Sequence, residues 1–112
     1  MNPITASKPR ILAITLARGG SKGVPRKNVR PINGHPLIAY TIAEALRCPL
    51  IDRFIVSSED AEIRRVAIEY GAEAPFERPA ELAVDTARSV DCDRHAVEWA
   101  ERDEGQRYDY IV

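Results

Sequence analysis

A chain of 112 residues, 45% of them apolar, can bury one hydrophobic core but not two, so it forms one domain or part of one. The formal net charge of −1 and a pI near 6.1 exclude a general nucleic-acid binder, which spreads basic residues over a whole face. No run approaches the roughly 18 apolar residues of a membrane span, and Met1 to Arg10 lacks a signal peptide's apolar stretch, so a soluble, cytoplasmic protein without membrane contact is expected.

Arg10 to Leu16 is a short, nearly continuous apolar run, the pattern of a strand covered on both faces. The segment from Ala17 to His35 follows. It holds Gly19, Gly20, Gly23, Pro25, Pro31 and Gly34, so no regular element is expected inside it, and a connection of this length in a compact domain is usually functional. Pro36 suits the first turn of a helix, and Leu37 to Arg47 places Ile38, Ile42, Ala45 and Leu46 at helical spacing. Cys48 belongs to neither a CxxC pair nor a Cys/His ligand pattern with Cys92, and two free thiols in a reducing compartment are expected.

Arg53 to Ser57 reads as a second buried strand, parallel to the first. Ser58 is the expected cap of a helix with Glu59, Asp60 and Glu62 in its first turn, Ile63, Val66, Ala67 and Tyr70 along its apolar stripe, and Gly71 as its stop. A brief third strand is expected from Ala72 to Phe76, broken by Pro75, then an irregular stretch with one turn around Pro79 to Leu82. Ser89 to Asp103 reads as a helix with Val90, Ala96, Val97 and Ala100 inward, and Tyr108 to Val112 as the start of another strand. This alternation implies an α/β fold, a mostly parallel sheet with helices on both faces. A parallel sheet needs both faces covered, and no helix follows the last strand. The chain is therefore expected to be the amino-terminal part of a larger single domain.

The charge is uneven. Between Ala17 and Arg30 stand five basic side chains, Arg18, Lys22, Arg26, Lys27 and Arg30, and no acidic one, while the remainder carries 11 basic and 17 acidic residues. A basic loop at the carboxyl end of a parallel strand is where open α/β sheets place anionic ligands. The P-loop pattern fails because Lys22 precedes Gly23 with no Ser or Thr in place, and the GxGxxG pattern fails on the spacing of Gly19, Gly20 and Gly23. What remains is a loop that wraps an anion with side chains and backbone amides. Each feature has a plainer alternative. The cluster can be a solvated charge run, and Arg26 and Arg30 stand evenly between facing solvent and steering phosphate. Arg78 can merely tie down its segment through Glu81 or a carbonyl. Asp85 or Thr86 more readily caps the next helix. His35 and His95 read as surface or packing histidines, and Tyr70, Trp99, Tyr108 and Tyr110 as core or edge aromatics.

The run Ala17-Arg18-Gly19-Gly20-Ser21-Lys22 with Pro25, Lys27 and Asn28 resembles the signature loop of the acylneuraminate cytidylyltransferases, the CMP-sialic acid synthetases. A second block, Arg78-Pro79-Ala80-Glu81-Leu82-Ala83 with Asp85, Thr86 and Ala87, resembles the same family. The resemblance implies a Rossmann-like fold of the nucleotide-diphospho-sugar transferase type. It also implies a reaction in which the anomeric hydroxyl of a nine-carbon 2-keto sugar acid attacks the α-phosphate of CTP and releases pyrophosphate. Arg18 and Lys22 would contact the triphosphate, Lys27 would sit near the reacting centre, and Asn28 would help hold the nucleoside. Ala17, Gly19, Gly20, Ser21, Arg78 and Ala87 would complete substrate binding.

Mg²⁺ and a homodimer belong to the same implication, with no metal ligand among these residues, and the 112-residue chain alone is expected to be inactive. Enzymes that activate Kdo usually carry arginine where Lys22 stands and lack the Lys27-Asn28 pair, which favours the sialic acid branch. Activation of Kdo or of another nonulosonic acid, and a non-catalytic nucleotide-binding fragment, are the alternatives.

Overall fold

The computed structural model describes residues 8–20 and 26–112. Strand β1 (Ile11–Leu16) lies at the centre of a three-stranded parallel sheet, between β4 (Arg53–Ser57) and β5 (Tyr110–Ile111). Two short strands, β2 (Pro31–Ile32) and β3 (His35–Pro36), form a separate antiparallel hairpin. Helices α1 (Leu37–Arg47), α2 (Ala61–Glu69) and α3 (Ser89–Glu104) complete the fold.

Alternation along the strands divides the core in two. Ala13, Phe54 and Val56 meet Ile38 and Ile42 of α1 and Ile63, Val66 and Ala67 of α2 on one face. On the other, Leu12 and Ile55 meet Ala100 of α3, with Ile14, Phe76, Val97 and Trp99 around them. Both faces of the sheet are thus covered, which is why β1 and β4 are apolar at nearly every position. Among the described residues no helix is long and apolar enough to cross a membrane. Cys48 and Cys92 are free thiols.

Several expectations need correction. The segment after β1 is not wholly irregular: Lys27–Val29 is a 3₁₀ turn, and Asn33 and Gly34, at φ of 51° and 85°, make the two-residue turn between β2 and β3. Residues 72–76 do not form a strand. They run beside β4 through isolated parallel bridges, Ile55 with Glu73 and Ser58 with Glu77, because Pro75 has no N–H to continue a ladder. Asp60, not Ser58, caps α2: its carboxylate accepts from the Ile63 amide at 2.9 Å, and Ser58 Oγ accepts from the Asp60 amide at 3.1 Å. Neither Asp85 nor Thr86 caps α3, whose N-cap position is Arg88 with no side-chain bond. Val90 is 51% exposed, and Cys92 takes the inward place in the first turns of that helix.

Candidate active site

Leu16 and Ser57 are partners in the sheet register, so the chain leaves β1 and β4 side by side at their carboxyl ends. A cleft of about 310 Å³ opens there. One wall is Leu16, Arg18, Lys27 and Asn28. The other is drawn from residues 78–92: Arg78, Leu82, Val84, Asp85, Ala87, Ser89 and Cys92. The two sequence blocks, some fifty positions apart in the chain, therefore face each other across one cleft.

Arg18 reaches across it. Its Nη1 lies 2.8 Å from Asp85 Oδ1 and donates to the Ala83 carbonyl at 3.2 Å. Asn28 Nδ2 donates to the Arg18 carbonyl at 3.3 Å, which ties the outgoing limb of the loop to the returning one. Lys27 lines the cleft from the exposed 3₁₀ turn, and among the described residues no carboxylate pairs with it. Arg78 is 3% exposed: Nη1 donates to the Leu82 carbonyl at 3.1 Å and Cys92 Sγ at 3.3 Å, and Nη2 to the carbonyls of Ala17 at 3.1 Å and Ser57 at 3.3 Å, while the buried Nε has no partner among the described residues. These bonds fasten its segment through carbonyls, with no bond to Glu81 among the described residues, and Arg78 also lines the cleft.

Ala17 is buried, its amide donating to the Ser57 carbonyl and its own carbonyl accepting from Arg78 Nη2. The Gly19 amide donates to Glu59 Oε1 at 2.7 Å, while Gly20 is exposed. Ala87 lies in the cleft wall. Ser21, Lys22, Gly23 and Pro25 fall outside the described residues.

Arg26 neither faces solvent unpartnered nor points at the cleft. It forms a two-pronged pair with Asp60 at 2.7 and 2.8 Å and also donates to Glu62. Arg30 is exposed. His35 is an exposed surface histidine with Nδ1 2.9 Å from the Tyr70 hydroxyl, and His95 packs edge-on against Phe76. Tyr108 and Trp99 lie under the guanidinium groups of Arg10 and Arg53. Sequence reasoning missed Glu59 and Asp60 as loop partners; the acidic pair at the start of a helix that leaves the sheet beside the basic loop is the signal for them.

The Arg26 guanidinium holds the Asp60 carboxyl at about 2, well below the ordinary carboxylate range. Because the folded value is depressed, the stabilisation is complete above the unfolded value of 3.8 and disappears as pH falls through about 2. The shift corresponds to on the order of 2 kcal/mol, reduced by solvent screening at the partly exposed Arg26. An Asp60→Ser variant keeps a capping oxygen but loses the pair. Its deficit in urea midpoint relative to the parent is expected to be constant near neutral pH and to shrink between about pH 4 and pH 2. A deficit unchanged over that range would show that the pair contributes nothing.

Gly19 leaves room for this pair. A Cβ there would lie 2.6 Å from Asp60 Oδ1 and 2.7 Å from Arg26 Nη1, whereas one on Gly20 would meet nothing within 4 Å. Gly19→Ala is expected to cost about 1–3 kcal/mol by forcing the pair apart, and Gly20→Ala less than about 0.5 kcal/mol. Urea denaturation of both variants checks this; equal midpoints would mean the pair yields freely.

A sequence profile described as cytidylyltransferase matches residues 12–97. The chain belongs to the cytidylyltransferase family. The match spans both walls of the cleft, from β1 into α3. A pseudaminic acid cytidylyltransferase of Campylobacter jejuni is 45% identical over 100 residues, covering 89% of this chain and 43% of the relative. A CMP-N,N'-diacetyllegionaminic acid synthase of Legionella pneumophila is 46% identical over 78 residues, 70% of this chain and 34% of the relative. This cytidylyltransferase chain thus spans less than half the length of the curated relatives it matches. A CMP:2-keto-3-deoxy-manno-octonic acid synthetase solved in complex with CTP superposes on 92% of this chain and 39% of its own at a TM-score of 0.69. At 22% identity that likeness establishes the α/β fold.

The magnesium ion implied for such enzymes requires several oxygen ligands. The cleft presents one carboxylate, Asp85, already engaged with Arg18, and among the described residues no group of three His, Cys, Asp or Glu side chains is placed to hold a metal. These residues alone do not make a magnesium site, and no step is routed through one.

Proposed function

We propose that this chain is the CTP-gripping, amino-terminal part of a single nucleotidyltransferase domain. The domain transfers CMP from CTP to the anomeric hydroxyl of a sialic acid-like 2-keto sugar acid and releases pyrophosphate. The observation that carries the reading is the convergence of the two family-like blocks on one cleft at the carboxyl end of β1, with Arg18, Lys27 and Asn28 facing Arg78 and Ala87. CTP and a sugar acid are both anions, so the chemical demand is to bring them together and to stabilise charge at the α-phosphate. Arg18 offers a planar fork for phosphate oxygens and exchanges the exposed Asp85 carboxylate for them; Lys27 supplies a mobile point charge. Lys22 is assigned to the triphosphate with Arg18, and Ser21 and Gly20 to backbone approach, while Gly19 makes room for the Arg26–Asp60 pair. Asn28 is assigned to the nucleoside.

Names carried by the relatives, pseudaminic and diacetyllegionaminic acid, support a nonulosonic acid as acceptor. Mg²⁺, a homodimer and a cytoplasmic location are parts of the same proposal. The test is pyrophosphate release by the complete gene product with CTP, Mg²⁺ and a panel of sialic, legionaminic and pseudaminic acids and Kdo, with ATP, GTP and UTP as nucleotide controls. Turnover with CTP and one of the nine-carbon acids is expected. Turnover with Kdo alone would move the assignment to that acid, and CTP binding without turnover on any acid would leave a nucleotide-binding module.

A further inference from the structure

Arg26 is basic and adjoins the cleft residues, yet it does not line the cleft, while the next two residues do. Its guanidinium lies between Asp60 and Glu62, so the three side chains together carry one net negative charge and add no positive field for a nucleotide. The backbone of Arg26 is left-handed, φ 56°, a conformation that residues with a Cβ adopt only when their surroundings hold them there. The holder is well anchored: Asp60 accepts from the Ile63 amide and receives support from Ser58, at the first turn of α2. Gly19, on the outgoing limb, lacks the Cβ that would fill the space the pair occupies.

We propose that Arg26 is a positioning residue, a strut from the start of α2 that fixes the returning limb of the basic loop and so sets Lys27 and Asn28 beside Arg18 on one wall of the cleft. Its part in catalysis rests on the cytidylyltransferase reading above; its mechanical role does not. Asp60→Ser removes the two-pronged anchor and keeps the cap, and Arg26→Gly removes the guanidinium while suiting the positive φ.

Both variants and their double combination are compared in the complete gene product by steady-state kinetics and by amide exchange at Val29 and Arg30, whose N–H groups close the turn on the carbonyls of Arg26 and Lys27. Each single change is expected to lower kcat/KM for CTP about 10- to 100-fold. KM for the sugar acid should stay within about twofold, exchange at Val29 and Arg30 should be at least about tenfold faster, and the double variant should be no worse than either single one. Arg26→Lys, which offers one prong, should recover part of the loss.

The proposal is overturned if Asp60→Ser preserves or improves the use of CTP while Arg26→Gly impairs it, because the guanidinium would then act on the nucleotide directly. Unchanged exchange at Val29 and Arg30 also overturns it. A parent with no CTP-dependent turnover refutes the assigned reaction instead, and the exchange measurement still decides the strut.

Discussion

Replacing Arg78 with alanine is expected to destabilise the fold by about 3–5 kcal/mol, a large part of the roughly 5–15 kcal/mol that holds a domain together. The side chain is almost fully buried, among the described residues no carboxylate pairs with it, and its charge is met by the carbonyl oxygens of Ala17, Ser57 and Leu82. Two of these carbonyls lie where the chain leaves β1 and β4, and the third closes the 3₁₀ turn Ala80–Leu82. Truncation strips the Ala17 carbonyl of its donor, at about 1–3 kcal/mol, and takes one donor each from the Ser57 and Leu82 carbonyls, which keep the Ala17 amide and Cys92 Sγ; the lost packing of the buried stem makes up the rest. Arg78→Lys keeps the charge but not the fork, so it should recover only part of the stability. Urea unfolding checks both variants, and an unchanged midpoint for Arg78→Ala would show that the fastening lies elsewhere.

The scaffold was legible where one physical cause dominated. α1 and β4 have the expected bounds, and β1 begins one residue later than expected, because a strand covered on both faces is apolar nearly throughout and α1 carries Ile38 and Ile42 on one stripe. Where two signals competed, the reading failed. Asn33-Gly34 is a strong hairpin signal, but it stands among so many glycines and prolines that the segment reads as loop. Ser58 and Asp60 are both competent caps, and the local path of the chain decides for Asp60. Val90 has the apolar character of an inward residue, yet at the first turn of α3 it lies beyond the reach of the sheet, and the smaller Cys92 packs under Arg78.

The position of the candidate site was legible from charge alone, since five cations without an acid at the end of a strand are hard to explain otherwise. Which of those cations remains available was not. Arg26 meets Asp60 across 34 positions and Glu62 across 36, and Arg18 meets Asp85 from the second block, pairings that depend on how β1 and β4 exit the sheet together. A count of charges along a loop therefore overstates its field: Arg26 is cancelled by its partners, and Arg18 is shared with a carboxylate in the same cleft.

Among the described residues Lys27 is an exposed, cleft-lining cation that pairs with no carboxylate, and its removal is expected to affect activity cleanly. A charge-assisted hydrogen bond to a phosphate oxygen is worth roughly 1.5–3 kcal/mol, so Lys27→Ala should lower kcat/KM for CTP about 10- to 150-fold. Because the side chain is exposed and pairs with no carboxylate among the described residues, stability should change by less than about 0.5 kcal/mol. Arg18→Ala should lower kcat/KM by a similar factor, but it also releases Asp85 and the Ala83 carbonyl, so its loss mixes binding with loop support. The two variants are separated by measuring steady-state kinetics and thermal melting on the same preparations. A loss of activity at unchanged melting temperature for Lys27→Ala assigns the effect to the reacting anions. Parent-like turnover by that variant would remove Lys27 from the site.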